Sequence, residues 1–278
     1  MGSNGRRVLV TGASSGIGAA TAVYLANEGY RVALLARNRE RLEQVRASLP
    51  GEGHVLLVCD LCQPLRIEQA FEELKGHFGG LDLLINNAGL GYRAKVQELD
   101  DALLEQLFRT NVFSLLHTAR RALPLLRESS RPVLINISSV VGRRGIPGQV
   151  AYSASKAAVC SIGEGLRIEW AREGIAVCTL NPALTATGFF ESQSNPAGLP
   201  APSLNTAAGP EQVAREVWKL DQNPRPERSL RWKWRLLAAL SILAPRLGDR
   251  LLVRSLGDGW TMPLVRPSDD SESARAPK

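Results

Sequence analysis

A parallel β-sheet covered by helices on both faces is the fold class predicted by this 278-residue sequence, and three observations predict it. Short apolar runs alternate with longer helical patterns along most of the chain, as in strands joined by crossover helices. The first apolar run passes into the glycine turn Gly12-Ala-Ser-Ser-Gly16-Ile-Gly18, and a helical pattern opens directly after it. The composition, 44% hydrophobic and 22% charged, is that of a globular chain able to bury a large core.

The first strand is expected over Arg7–Thr11 and the first helix over residues 19–28, ending at Gly29. Glycines between a strand and a helix let the backbone approach a pyrophosphate, and the helix N–H groups and dipole favour its charge. Ser14 and Ser15 add hydroxyl donors. Gly12, Ser14, Ser15, Gly16, Ile17 and Gly18 are therefore candidate dinucleotide contacts, and the sheet is expected to be doubly wound and of Rossmann type. The second strand, residues 31–36, ends where such a fold inspects the adenosine ribose. An NAD site would place Asp or Glu there, whereas this chain has Ala36 followed by Arg37, Asn38 and Arg39. A guanidinium without a carboxylate fits a 2′-phosphate, so NADP(H) is the expected cofactor. The alternative is that Arg37 caps the next helix in solvent.

Further elements follow in turn: strand 54–59, helix 65–78, strand 81–85, helix 103–126, strand 133–137, helix 150–172, strand 175–180 and helix 210–220. Gly12, Arg37, Asp60, Asn86 to Gly89, Ser139 and residues 181–187 then share the carboxyl edge of the sheet, where ligands of open α/β sheets bind. Asp60 can accept from an adenine amino group or cap the helix from Pro64. Asn86 and Asn87 can brace strand ends or contact the adenosine ribose. Asn111 interrupts a helical pattern, which predicts a kink or a held water, with an exposed asparagine as the ordinary alternative.

Tyr152 and Lys156 are four residues apart, so on a helix they share a face with Cβ atoms about 5–6 Å apart. A free phenol titrates near about 10, and a neighbouring cation is expected to pull it toward neutrality. Ser139 follows the strand 133–137, from which its hydroxyl can converge on the same oxygen.

Together these residues resemble the short-chain dehydrogenase/reductase family over residues 6–217. Thr11 to Gly18 resembles its cofactor turn, Asn86-Asn-Ala-Gly89 its central strand motif, and Asn111, Ser139, Tyr152 and Lys156 its catalytic tetrad. The resemblance implies that Tyr152 exchanges a proton with a carbonyl or alcohol oxygen and that Ser139 holds that oxygen. It implies that Lys156 lowers the tyrosine pKa and bonds the nicotinamide ribose, while Asn111 holds a relay water. Tyr152 and Lys156 thus count as cofactor contacts too, with Pro182, Thr185 and Thr187 gripping the carboxamide. One departure is Pro182-Ala183, where the family usually has Pro-Gly. The family also implies a homodimer or homotetramer built through the helices carrying Asn111 and Tyr152.

The expected activity is hydride transfer between NADP(H) and the carbonyl or secondary alcohol of an apolar small molecule. The rival is a catalytically idle NADP(H)-binding sensor or scaffold. Ser153-Ala-Ser-Lys156 also satisfies S-x-x-K, but the S-D-N and K-T-G partners of serine β-lactamases are missing. No metal site is expected: the three histidines lack metal spacing, and Cys59 and Cys62 form a C-x-x-C with no second pair.

Residues 183–210, with Phe189 and Phe190, read as a lid over the substrate or as a disordered surface loop. Residues 230–235 alternate strictly between apolar and basic, which predicts a last edge strand. An apolar helical run, 236–244, follows, and Arg246, Arg250 and Arg254 share a helical face beyond it. Residues 228–256 hold seven cations against Asp249, so nearly all of the net charge of +7 is C-terminal and nucleic-acid binding by the main domain is not expected. That segment is expected to rest on anionic lipid, pack in an oligomer or cover the substrate mouth as a flap. The expected division is a catalytic domain 1–227, an extension 228–265 and a disordered tail 266–278. With no signal-peptide core, no spanning segment and few cysteines, a cytoplasmic chain, peripheral to a membrane at most, is expected.

Overall fold

The computed structural model describes residues 5–189, 193–196, 198–199 and 207–256. Seven strands lie among them: β1 (Arg7–Thr11), β2 (Arg31–Ala36), β3 (Val55–Val58), β4 (Leu83–Asn86), β5 (Val133–Ile137), β6 (Ala176–Asn181) and β7 (Glu227–Ser229). They stand in the order β3-β2-β1-β4-β5-β6-β7, every neighbouring pair parallel. The order reverses between β1 and β4, so the crevice at that switch point opens beyond the carboxyl ends of the strands.

Alternation along the strands builds two cores, because successive side chains point to opposite faces. Val8, Val10, Leu34, Ile85 and Ile135 face α1 (Gly16–Asn27) and α7 (Pro210–Gln222). Leu9, Leu35, Leu84 and Leu134 face α3 (Pro64–Phe78) and α5 (Ser114–Leu126). The remaining helices of the main body are α2 (Arg39–Ala47), α4 (Asp101–Phe108) and α6 (Val150–Glu169).

Two expectations are corrected. The pattern over 103–126 is not one regular helix: a π-helical turn, Arg109–Phe113, joins α4 to α5, and Asn111 lies within it, buried. The alternating segment 230–235 is not the last strand. That place is taken by β7, only three residues long and paired with β6, while Trp232 already opens α8 (Trp232–Leu243). The Leu-Leu-Ala-Ala-Leu run that follows favours helix strongly enough to draw the short alternation into it.

The chain divides into two compact units, Met1–Arg235 and Leu236–Lys278. The sheet belongs to the first; the second contains the end of α8 and α9 (Pro245–Leu256). The tail 266–278 lies outside the described residues, as does Phe190 of the lid segment. No helix among the described residues is long and apolar enough to cross a membrane.

Candidate active site

The glycine turn is shaped by sterics that only glycine satisfies. Gly12 and Gly16 have φ of +66° and +54°, and a Cβ on Gly18 would stand 2.2 Å from the Gly12 carbonyl oxygen. Gly18 therefore lets α1 cross β1 at close range. At the helix entrance Ser15 is exposed, makes no side-chain cap, and no acidic residue occupies the first turn. Unspent N–H groups with no competing carboxylate suit an anion. A Cβ on Gly16 would touch Thr187 at 3.5 Å, so the segment after β6 forms the opposite wall of this cradle. Asn87 pins the turn by donating Nδ2 to the Thr11 carbonyl at 2.9 Å, while Thr11 Oγ1 accepts from the Asn87 and Ala88 amides. Sequence reasoning gave Thr11 no separate role.

Arg37 projects from the end of β2, exposed. The next helix is capped by Asn38, whose Oδ1 accepts from the Arg41 amide at 2.8 Å, so Arg37 does not cap it. Asp60 follows β3 and accepts from the Cys62 amide and the Gln63 side chain; α3 has Gln63 at its N-cap instead. The C-x-x-C has no metal cluster around it among the described residues. Burial pushes the Cys59 thiol up to about 11, leaving it inert near neutrality.

Asn111, Ser139, Tyr152 and Lys156 converge. The π-turn directs Asn111 toward Leu90: its Oδ1 accepts from the Leu90 amide at 2.7 Å and its Nδ2 donates to the Leu90 carbonyl at 3.0 Å. Nδ2 also donates to Ser155 Oγ at 3.0 Å, and Ser155 donates to the Tyr152 carbonyl at 2.7 Å. Ser155 thus links two predicted residues; it is i+3 from Tyr152, the one signal that could have found it. A Cβ on Gly89 would lie 3.3 Å from both Asn111 Oδ1 and Lys156 Nζ, so these groups border one small space. Lys156 is 5% exposed and donates to the Ile137 carbonyl at 3.0 Å. A bond from Ser138 Oγ to the Lys156 carbonyl, 2.8 Å, ties α6 to the end of β5.

Burial is the largest influence on the phenol in this structure. Burial pushes Tyr152 above its ordinary value, opposed by a hydrogen bond from Ser139. Lys156 Nζ is 6.0 Å from the tyrosine ring centroid, and burial brings the amine down to about 8. Desolvation is the largest cause of both shifts. Burial thus favours the protonated form of the Tyr152 phenol.

Pro182 is buried, and its carbonyl accepts from the Val140 amide at 3.0 Å. Thr185 donates its hydroxyl to the Ala183 carbonyl at 3.0 Å, and Thr187 accepts from the Phe189 amide at 3.3 Å. Ala183 is accommodated without strain, since no non-glycine residue among those described has positive φ. The Phe189 ring is tilted against Tyr152, centroids 5.9 Å apart. Tyr152 and Leu90 both pack against an apolar cluster of Tyr92, Ala94, Leu107 and Ala151.

Comparison with known proteins agrees with this architecture. A family model described as short chain dehydrogenase matches residues 6–197. An uncharacterized oxidoreductase of Mycobacterium tuberculosis (strain CDC 1551 / Oshkosh) is 33% identical over 251 residues, 88% of this chain and 96% of the relative. Among solved structures, an alcohol dehydrogenase from Thermococcus sibiricus complexed with 5-hydroxy-NADP is similar with a TM-score of 0.72 and 27% identity, covering 81% of this chain and 96% of that one. A 3-ketoacyl-(acyl-carrier-protein) reductase from Brucella melitensis complexed with NADH shares the fold, with a TM-score of 0.74 and 24% identity over 82% of this chain and 97% of that one. Sheet order, glycine turn and matched length lead to one conclusion: the chain is an oxidoreductase of the short-chain dehydrogenase/reductase family, whose members bind a nicotinamide dinucleotide.

Proposed function

We propose that the protein transfers hydride between NADP(H) and the carbonyl or secondary alcohol of an apolar small molecule. The observation that carries this reading is the gathering of Asn111, Tyr152 and buried Lys156 around one small space at the carboxyl edge of the sheet, with Ser139 at the end of β5 facing the phenol. A bound nicotinamide supplies or accepts the hydride at the substrate carbon.

This chain's residues handle the oxygen on that carbon. In reduction, Ser139 holds the carbonyl oxygen and Tyr152 gives it the phenolic proton; in oxidation, Tyr152 takes the proton back. Lys156, protonated below about 8, stabilises the phenolate left after donation. Asn111 positions the loop at Leu90 after β4 and, through Ser155, the first turn of α6. Gly12 to Gly18 and Thr187 form walls suited to the pyrophosphate, and Arg37 is assigned to the 2′-phosphate. The 5-hydroxy-NADP of the Thermococcus relative supports the same choice. Asp60, Asn87, Pro182 and Thr185 complete the proposed cofactor contacts. Phe189 and the apolar residues around Tyr152 support an apolar substrate.

We further assign the protein to the cytoplasm, supported by four free cysteines. A homodimer or homotetramer through α5 and α6 is supported by exposed Leu116 on α5 and Ile168 on α6, with Phe113 in the preceding turn.

The experiment is cofactor titration with NADPH and NADH, followed by turnover on ketones graded in size and polarity. NADPH should bind more tightly, and reduction should fall as pH rises above about 8 and Lys156 loses its proton. Cofactor binding without turnover across the panel would favour the sensor reading.

A further inference from the structure

We propose that residues 232–256 form a surface that docks on anionic lipid, independently of the reaction above. The two helices here leave many of their large apolar residues exposed. On α8, Trp232, Leu236 and Leu243 are separated by steps of four and seven residues and so share one stripe. They are 65%, 59% and 86% exposed, and neighbouring Ile242 is 78% exposed. On α9, Leu247 and Leu251 are exposed beside Arg246, Arg250 and Arg254.

The residues turned inward are mostly small. Ala238 and Ser241 are buried on α8, and Gly248 and Leu252 on α9. A Cβ on Gly248 would stand 2.3 Å from Ser241 Oγ, so the two helices meet through serine and glycine. An ordinary soluble hairpin would bury leucines and expose polar residues. This one buries only Leu252 among its leucines and leaves Leu236, Leu243, Leu247 and Leu251 exposed, without the polar cover that water favours.

Charge selects the occupant. Lys233, Arg235, Arg246, Arg250 and Arg254 are all exposed around this apolar surface, and Asp249 is the one acidic residue in the segment. A second copy would bring like charges together, whereas an anionic bilayer offers both an apolar interior and opposite charge. The twelve residues of α8 are too few to span a bilayer, which takes about 20. Such a helix lies in the interface plane, where tryptophan is favoured and long basic side chains reach the headgroups.

Flotation of the full-length protein on vesicles tests this, comparing phosphatidylcholine alone with equal parts phosphatidylcholine and phosphatidylglycerol. The protein should float with the mixed vesicles at low salt, at least tenfold less with phosphatidylcholine alone, and be released by high salt. Replacing Arg246, Arg250 and Arg254 together by Glu should lower vesicle affinity roughly a hundredfold. Leu243→Ser should also weaken flotation while leaving turnover and circular dichroism unchanged; Leu247→Ser serves if that variant misfolds. Failure of the wild type to float on mixed vesicles would overturn the proposal, as would flotation indifferent to the arginine reversal. It would equally be overturned if Leu243→Ser split an oligomer in sedimentation without altering flotation, which would make a second copy the occupant. Flotation only after removal of residues 257–278 would assign the surface to the chain's own tail and overturn it likewise.

Discussion

At the amino ends of the strands, Arg6, Arg131 and Tyr30 converge on buried Asp221 at 2.7, 3.2 and 2.6 Å, and Arg7 makes a two-pronged pair with Asp82. At the carboxyl ends, Lys156 has a backbone carbonyl as its partner and Tyr152 a serine hydroxyl. Burial raises both tyrosines, but Tyr30 donates to a carboxylate that holds its proton in place. Tyr152 has only a neutral partner, and its proton can be given elsewhere. Opposite charges are matched where the molecule is held together and left without carboxylates where it is expected to react. A buried charge that loses its partner costs several kcal/mol, so the first edge is sensitive in stability and the second in rate.

The sharpest way to break this contrast is the pair Tyr152→Phe and Tyr30→Phe. Tyr152→Phe should lower turnover by about 10²–10⁴ with little change in melting temperature. Tyr30→Phe should leave turnover per folded molecule intact and cost about 1–3 kcal/mol in urea titration; similar behaviour of the two variants would erase the distinction.

Asp221→Ala leaves two guanidinium groups facing each other, and a loss of about 3–5 kcal/mol is expected, read by chemical denaturation. Unchanged stability would mean that the cluster is ornamental. At the other edge, Arg37→Asp should raise the KM for NADPH about 10- to 100-fold, the equivalent of about 1.5–3 kcal/mol in charge-assisted hydrogen bonds. NADH should gain by comparison, and an unaltered cofactor ratio would remove Arg37 from the phosphate.

The smallest effect concerns Asp82. Its desolvation is outweighed by hydrogen bonds from Arg7 and Ser129, which hold the carboxyl at about 2. Because the folded value lies below the unfolded one, the stabilisation is complete at neutral pH and disappears as pH falls from about 4 to about 2. Asp82→Asn should remove about 2 kcal/mol at neutral pH and flatten stability across that acid window, as followed by thermal melts.

What could be read in the sequence was whatever sterics or helical spacing impose locally. Gly18 must be glycine because the Gly12 carbonyl leaves no room for a side chain, and Asn111 marks its irregular turn because asparagine suits a regular helix poorly. Strand and helix alternation likewise announced the sheet and the edge on which the candidate residues gather. Features created by packing were hidden. The low Lys156 pKa follows from burial, the Phe189 contact with Tyr152 joins segments distant in sequence, and Ser155 matters only because the π-turn brings Asn111 to it. The misread segment 230–235 shows the same limit: a short alternation cannot reveal that β7 has already closed the sheet edge.

The π-turn has one further consequence, in the phase of the helix that contains it. One residue beyond the α-helical count rotates everything downstream by about a quarter turn relative to a regular helix. That offset lets Leu107 before it join the cluster around Tyr92 while Ala119 and Ala122 after it face the sheet. Deleting a single residue from 109–113 would therefore set the two halves of this helix in competition, since no rotation of a regular helix could serve both surfaces.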